Sequence, residues 1–451
     1  MGDTPARAAT SFSVTRLRLA GTGPSYLCSV THMSTEIARP STALRAAPFL
    51  GFAGFGAFWG VWGASLPLLR AQADVSDAEF GIALLFVAAG ALPAMLLTGR
   101  LIDALGLRVA GVLLALLGVM GLVVSLTSAT YAALCAGILL AGAGSGASDV
   151  AINTLAATVE KRTGRPIVAR SHAAFSATVA VSSLGAGALT GLADSLLVNF
   201  AAAALVTVAL GLAVIAATRS VPAQDAAVRK GQNVPTHAGH APRWMPLLVI
   251  GAIGALAFAS ENAYQSWCAV LLTDGFAASS PLAAVAPAAF ATTAALARFA
   301  AATITFRHPI VTLAGGGVIA TTGGVLTAFA PTLPLALVGI VTAAAGTSIL
   351  FPTLLSYGLR PIPDESRGRA TSAISTVAYV GYLAGPAYFG LLADATGVQQ
   401  AFLGIGALTA VLLATIPVLS ALKRAADVRS PGETPYSIRT RPARTHRTPE
   451  P

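Results

Sequence analysis

The sequence predicts an all-α membrane protein of twelve transmembrane helices in two six-helix bundles. Three observations predict it: a composition too apolar for water, apolar runs of membrane-crossing length, and a one-sided distribution of Lys and Arg. Of 451 residues, 55% are hydrophobic and 10% charged, against about 25% charged in an average soluble domain. A water-soluble fold cannot hide that much apolar surface. Gly is abundant (45 residues) and aromatics make up 7%, which suits helices that pack closely in lipid through small residues. The net charge of +10 does not indicate nucleic-acid binding, because no basic stripe is interleaved with aromatics. Cys28, Cys135 and Cys268 have no metal-ligand spacing and read as small buried hydrophobes.

The ruler for the spans is roughly 20 apolar residues per ~30 Å of hydrocarbon. Residues 1–45 are polar and mixed, without a signal-peptide core, and are expected to form a disordered cytoplasmic tail in which Met33 is an alternative start. The first span, 46–69, carries Trp59 and Trp62, which either pack in the interior or line a cavity. The second is 79–99. It leads into the loop Gly99-Arg100-Leu101-Ile102-Asp103-Ala104-Leu105-Gly106-Leu107-Arg108. The third span is 108–128.

The fourth, 131–157, places Gly142, Gly146, Asp149 and Asn153 on one helical face. A carboxylate inside a span costs about 2.5–3.5 kcal/mol on insertion scales and normally faces a bundle interior or water. Asp149 is therefore either a working group or a structural carboxylate bonded to a neighbouring helix end. The fifth span, 171–193, opens on Arg170-Ser171-His172, where a histidine either relays protons or caps the helix start. The sixth is 196–218.

Residues 219–243 are polar and read as a cytoplasmic linker. The second half repeats the pattern with spans at 244–272, 281–303, 309–330, 333–356, 370–393 and 398–421, so the bundles are expected at 46–218 and 244–422. A constant offset pairs Gly51 with Gly251, Gly54 with Gly254, Gly146 with Gly346, Gly185 with Gly385, and Ala193-Asp194 with Ala393-Asp394. The seventh span holds a polar island, Glu261-Asn262-Ala263-Tyr264-Gln265-Ser266-Trp267, which would be costly against lipid but can serve a polar ligand in a cavity. A buried structural network is the other reading. In the eleventh, Ser372, Ser375, Tyr379 and Tyr382 form a stripe leading to Pro386, either lining a cavity or packed in the core. The Arg- and Pro-rich residues 423–451 are expected to form a second disordered cytoplasmic tail.

Orientation follows from the positive-inside rule. With both termini cytoplasmic, all 28 Lys and Arg residues except Arg70 fall inside, Arg298 and Arg307 being counted in an inner loop. An odd number of spans would scramble that asymmetry.

The loop from Gly99 resembles the signature of the Major Facilitator Superfamily, G-x-L-x-D-R-x-G-R-R, with Gly99, Leu101, Asp103, Gly106 and Arg108 in place and Ala104 where the family has a basic residue. Here the glycines would let helix ends approach, and Asp103 would accept bonds that break as the cytoplasmic side opens. The equivalent stretch, Ala297-Arg298 to Arg307-His308-Pro309, lacks the Asp. Asp149-Val150-Ala151-x-Asn153, Glu160, His172-x-x-Phe175-Ser176, Glu261 with Trp267, and Arg367-Gly368-Arg369-Ala370 leading to Gly385-Pro386 resemble a poorly characterised bacterial inner-membrane branch of that superfamily.

The resemblance implies a secondary transporter working by alternating access between two bundles as a monomer, with a small-molecule cargo and no cofactor. Proton coupling is the expected energy source, with Asp149 and Glu261 as carriers; one charge moving through 100 mV supplies about 2.3 kcal/mol. The expected cavity residues are Asp149, Asn153, His172, Glu261 and Asn262, followed by Tyr264, Gln265, Trp267, Tyr379 and Tyr382. Uptake of a polar metabolite and export of a drug-like compound both fit, and the acids favour a hydrophilic or cationic cargo. No nucleotide-binding, zinc-protease or nucleophile-elbow motif is present, so neither an ATP-driven pump nor an enzyme is expected. A membrane sensor would need a larger extramembrane domain.

Overall fold

A computed structural model describes residues 41–219, 221, 244–362, 364–419 and 421; the tail residues before 41 and after 421, and nearly all of the linker, lie outside this set. Among the described residues, twelve helices are long and apolar enough to cross a membrane. The first six are α1 (Thr42–Ala73), α2 (Asp77–Leu105), α3 (Val109–Thr127), α4 (Tyr131–Thr163), α5 (Ile167–Ala193) and α6 (Leu196–Thr218). The second six are α7 (Trp244–Val270), α8 (Val285–Arg307), α9 (Pro309–Ala328), α10 (Leu333–Leu359), α11 (Asp364–Thr396) and α12 (Val398–Ala414). They form two six-helix bundles. α1 starts four residues before the expected span because Ser41 caps it, its hydroxyl accepting from Leu44 N at 3.2 Å. Residues 42–45 thus belong to the helix and not to the tail.

Small residues set the packing. In the first bundle Gly56 and Gly60 of α1 lie against the backbone of Phe175 and Val179 in α5; in the second, Gly381 and Gly385 of α11 lie against Ala255 and Ala259 in α7. The same pair of helices packs in both halves, with the glycines on opposite partners. The sequence offset is therefore not a structural equivalence: Gly385 is pressed onto Ala259, whereas Gly185 faces open space.

The bundles meet at the end of the molecule away from the start of α1 and the end of α12. There Gly81 of α2 lies against Pro386 and Gly390 of α11, and Gly187 and Gly191 of α5 lie against Pro281 and its neighbours ahead of α8. Ser183, fully buried, donates to the carbonyl of Ala284 at 3.2 Å across the same seam. At the other, open end a Cβ at Gly99 would meet nothing within 4 Å beyond its own helix, so the helix-end approach that the motif suggests is not made in this state. Gly106 does need to be glycine, since it ends α2 at φ 76°.

Candidate functional site

A cavity of about 420 Å³ lies between the bundles and runs from mid-molecule toward the end where α1 begins and α12 ends. From the first bundle it is faced by Phe55, Trp59 and Trp62 of α1, Asp149 of α4, and Phe175 and Ser176 of α5. The second bundle adds Glu261, Asn262 and Gln265 of α7, Arg298 of α8, and Tyr379 and Tyr382 of α11.

The acids differ in their surroundings. Asp149 is half-buried, and its carboxylate accepts from Asn153 Nδ2 at 3.0 Å one turn on; no cation contacts it among the described residues. Glu261 is buried, and its Oε1 accepts from Arg298 at 2.5 Å and from Gln265 Nε2 at 3.2 Å. A buried carboxylate is tolerable when it is ion-paired and further hydrogen-bonded.

Arg298 was expected in an inner loop. It stands instead within α8, faces the cavity and pairs with Glu261 across 37 residues of sequence. Its anchorage depends on a proline. Pro352 in α10 has no N–H to offer the carbonyl of Ser348 four residues back, and that carbonyl accepts from Arg298 Nε at 3.0 Å. Pro386 in α11 does the same for Tyr382, whose freed carbonyl accepts from Asn262 Nδ2 at 2.6 Å. In both places a broken helix bond becomes an attachment point for a cavity side chain.

Four of the expected cavity residues lie elsewhere. Tyr264 and Trp267 are fully buried on the far side of α7, because Glu261, Asn262 and Gln265 occupy one face and positions 264 and 267 turn away from it. Tyr264 stacks near Phe290 and Phe402. Trp267 donates to the carbonyl of Pro386 at 3.2 Å and meets Phe80 of α2 edge-on across the bundle seam. Asn153 sits behind Asp149 and orients it. His172, exposed, packs its ring on Phe52 with centroids 4.5 Å apart, one turn before Ser176.

Of the motif residues, Asp103 and Arg108 are exposed, and Arg108 donates to the carbonyl of Leu105 at 2.9 Å. Glu160 has a structural part: its carboxylate accepts from Val168 N at 2.9 Å, capping α5, whose N-terminal Pro166 has no side-chain acceptor.

A second charged group sits at the closed end. Arg70, in the last turn of α1, pairs with Asp77 at the start of α2 and with Asp274 in the π-turn Leu271–Gly275 that ends α7. The tight connection makes the first pair local: Asp74 ends α1 in the left-handed conformation, and Ser76 and Glu79 form a capping box at the start of α2. The Ser-x-x-Glu spacing was the sequence signal for that turn. Nothing local points to Asp274.

The family model described as Major Facilitator Superfamily matches residues 49–386 and 250–448. An uncharacterized transporter of Sinorhizobium fredii is 27% identical over 377 residues, covering 82% of this chain and 96% of the relative. An uncharacterized MFS-type transporter of Yersinia pestis is 28% identical over 382 residues, covering 82% and 95%. Among solved structures, a D-xylose-proton symporter is similar with a TM-score of 0.63 at 13% identity, covering 83% of this chain and 96% of that one. A bacterial homologue of the human lysosomal transporter Spinster, inward-facing and occupied, gives 0.63 at 16%, covering 84% and 97%. The family match spans well over half the chain, and the fold and the two-bundle cavity agree with it: the chain belongs to the Major Facilitator Superfamily.

Proposed function

We propose that the protein is a proton-coupled secondary transporter of a small molecule, working by alternating access with both termini in the cytoplasm. The observation that carries this is Asp149, a carboxylate facing a shared cavity without a cation. Leaving such a charge in a low-dielectric passage is costly, and taking up a proton removes the cost, so protonation changes which cavity state is favoured. Glu261 is the second candidate, its charge offset by Arg298 in the present state. With the termini inside, the closed end is outer and the cavity opens inward.

The test is reconstitution into liposomes with an imposed pH gradient, following internal pH as candidate cargoes are added. Asp149→Asn is expected to abolish cargo-dependent proton movement and Glu261→Gln to reduce it. Wild-type proton coupling in both variants would overturn the assignment.

A further inference from the structure

We infer that the cargo is a compact organic monocation with an apolar or aromatic body, and that it competes with the proton for Asp149, making the protein a one-for-one proton/cation exchanger. This rests on the proton-coupled reading above and adds to it the cargo class and the direction of coupling.

Charge is the first argument. The ionisable groups at the cavity are Asp149 from α4, Glu261 from α7, Arg298 from α8, and Tyr379 and Tyr382 from α11; His172 of α5 lies one turn beyond the lining, and α1 and α2 contribute none. Glu261 and Arg298 cancel as a bonded pair. The remaining charge is a single negative one on Asp149, and it is met by either a proton or a cationic cargo.

The second argument is that the amide and guanidinium donors at the cavity are already engaged. A polyhydroxylated neutral cargo needs several donors and acceptors, because a site for it must satisfy each hydroxyl it desolvates. Here the Asn262 amide N–H is spent on the Tyr382 carbonyl, that of Gln265 on Glu261, Arg298 on Glu261 and Ser348, and Ser176 on its own backbone at His172, which leaves the hydroxyls of Ser145, Ser266, Tyr379 and Tyr382 and the Glu261 Oε2 as the other polar groups at the cavity. The Asp149 carboxylate, with one oxygen on Asn153, keeps its other oxygen for a ligand. An anionic cargo would meet Asp149 as a like charge.

The walls are the third argument. Phe55, Trp59, Trp62 and Phe175 line the first-bundle wall of the cavity, which also carries Asp149, with ring centroids 5.7 Å apart for Phe55–Phe175 and 6.0 Å for Trp59–Trp62. Ring faces attract cations and bury apolar bodies.

The probe is benzyltrimethylammonium, compact, aromatic and permanently charged, so that every proton released comes from the protein. When it is added to purified protein in weakly buffered solution, wild type is expected to be thermally stabilised and to release about one proton per bound cation at a pH where Asp149 is protonated, with apparent affinity rising about tenfold per pH unit there. Asp149→Asn should release none, and Asp149→Glu should still release one; the thermal transition of each variant without probe shows that it is folded. In liposomes an inward-acid gradient should drive uptake of the probe.

Xylose and benzoate serve as neutral and anionic comparators. Proton-coupled movement of either through wild type but not Asp149→Asn overturns the cargo class while the proton-coupled reading stands. Probe binding without proton release, or proton release that survives in Asp149→Asn, overturns the competition. Failure of a graded series of quaternary ammonium ions to stabilise the protein also overturns the inference. Cargo movement insensitive to the pH gradient instead sinks the proton-coupled reading.

Discussion

At the scale of single residues, the two acids are alike in sequence, each a carboxylate one turn from an amide within an apolar span. Glu261 is the better buried, yet it is the one with a cation. The bond to Arg298 therefore holds a charge that would otherwise be stranded. Arg298→Gln is expected to destabilise the protein by about 3 kcal/mol, the lower end for breaking a buried pair because the arginine side is open to the cavity. Adding Glu261→Gln to Arg298→Gln should recover most of that loss, since no charge is left unpaired. Denaturant unfolding in detergent measures both; equal stability of Arg298→Gln and wild type would show that the pair contributes nothing. The acids, amides and tyrosines of the cavity were legible because a polar group in an apolar run has few other places to go. Arg298 was not, because a basic residue near a span end reads as a loop charge, and only packing against a residue 37 positions away shows otherwise.

At the scale of helices, the number and placement of spans were legible because hydropathy is a property of each segment alone. The use of prolines was not, since it needs the partner helix. Pro386 and Pro352 each withdraw one helix N–H, and each orphaned carbonyl is taken by a side chain from a neighbouring helix of the same bundle. If that reading of α11 is right, Asn262→Ala should cost about 1–3 kcal/mol, the penalty for leaving the half-buried Tyr382 carbonyl unmet. In a Pro386→Ala background α11 can make its own bond, so Asn262→Ala should then cost distinctly less. A double-mutant cycle of unfolding free energies reads the difference. Additive costs would mean that Asn262 and Pro386 act independently. The rotation that took Tyr264 and Trp267 out of the cavity also belongs to this scale: the polar island is longer than one helix face, so half of it had to turn into the core.

At the scale of the whole molecule, the sequence held one exception to the inside bias of its basic residues, and the structure gives it a place. Arg70 joins the closed end, bridging Asp77 of its own bundle and Asp274 of the other, 204 residues away. Only the Asp274 pair crosses between bundles and must break when that end opens. The Asp77 pair, held within one tight turn, can persist. Half-exposed ion pairs are each worth about 1 kcal/mol or less, so removing the crossing pair should shift the opening equilibrium by up to about fivefold. The reporter is Ser183→Cys, buried in the seam beside Ala284, in a background with Cys28, Cys135 and Cys268 replaced by alanine, labelled by a membrane-impermeant maleimide. Asp274→Asn and Arg70→Gln should speed labelling, whereas Asp77→Asn should do so less. Pairing Arg70→Asp with Asp274→Arg should restore slow labelling if it is the attraction, and not the identity of either residue, that holds the end shut. Labelling of Asp274→Asn at the parent rate would mean that glycine packing around Gly81 and Gly187 closes this end without help from charge, and that Arg70 serves only to fold the turn between α1 and α2.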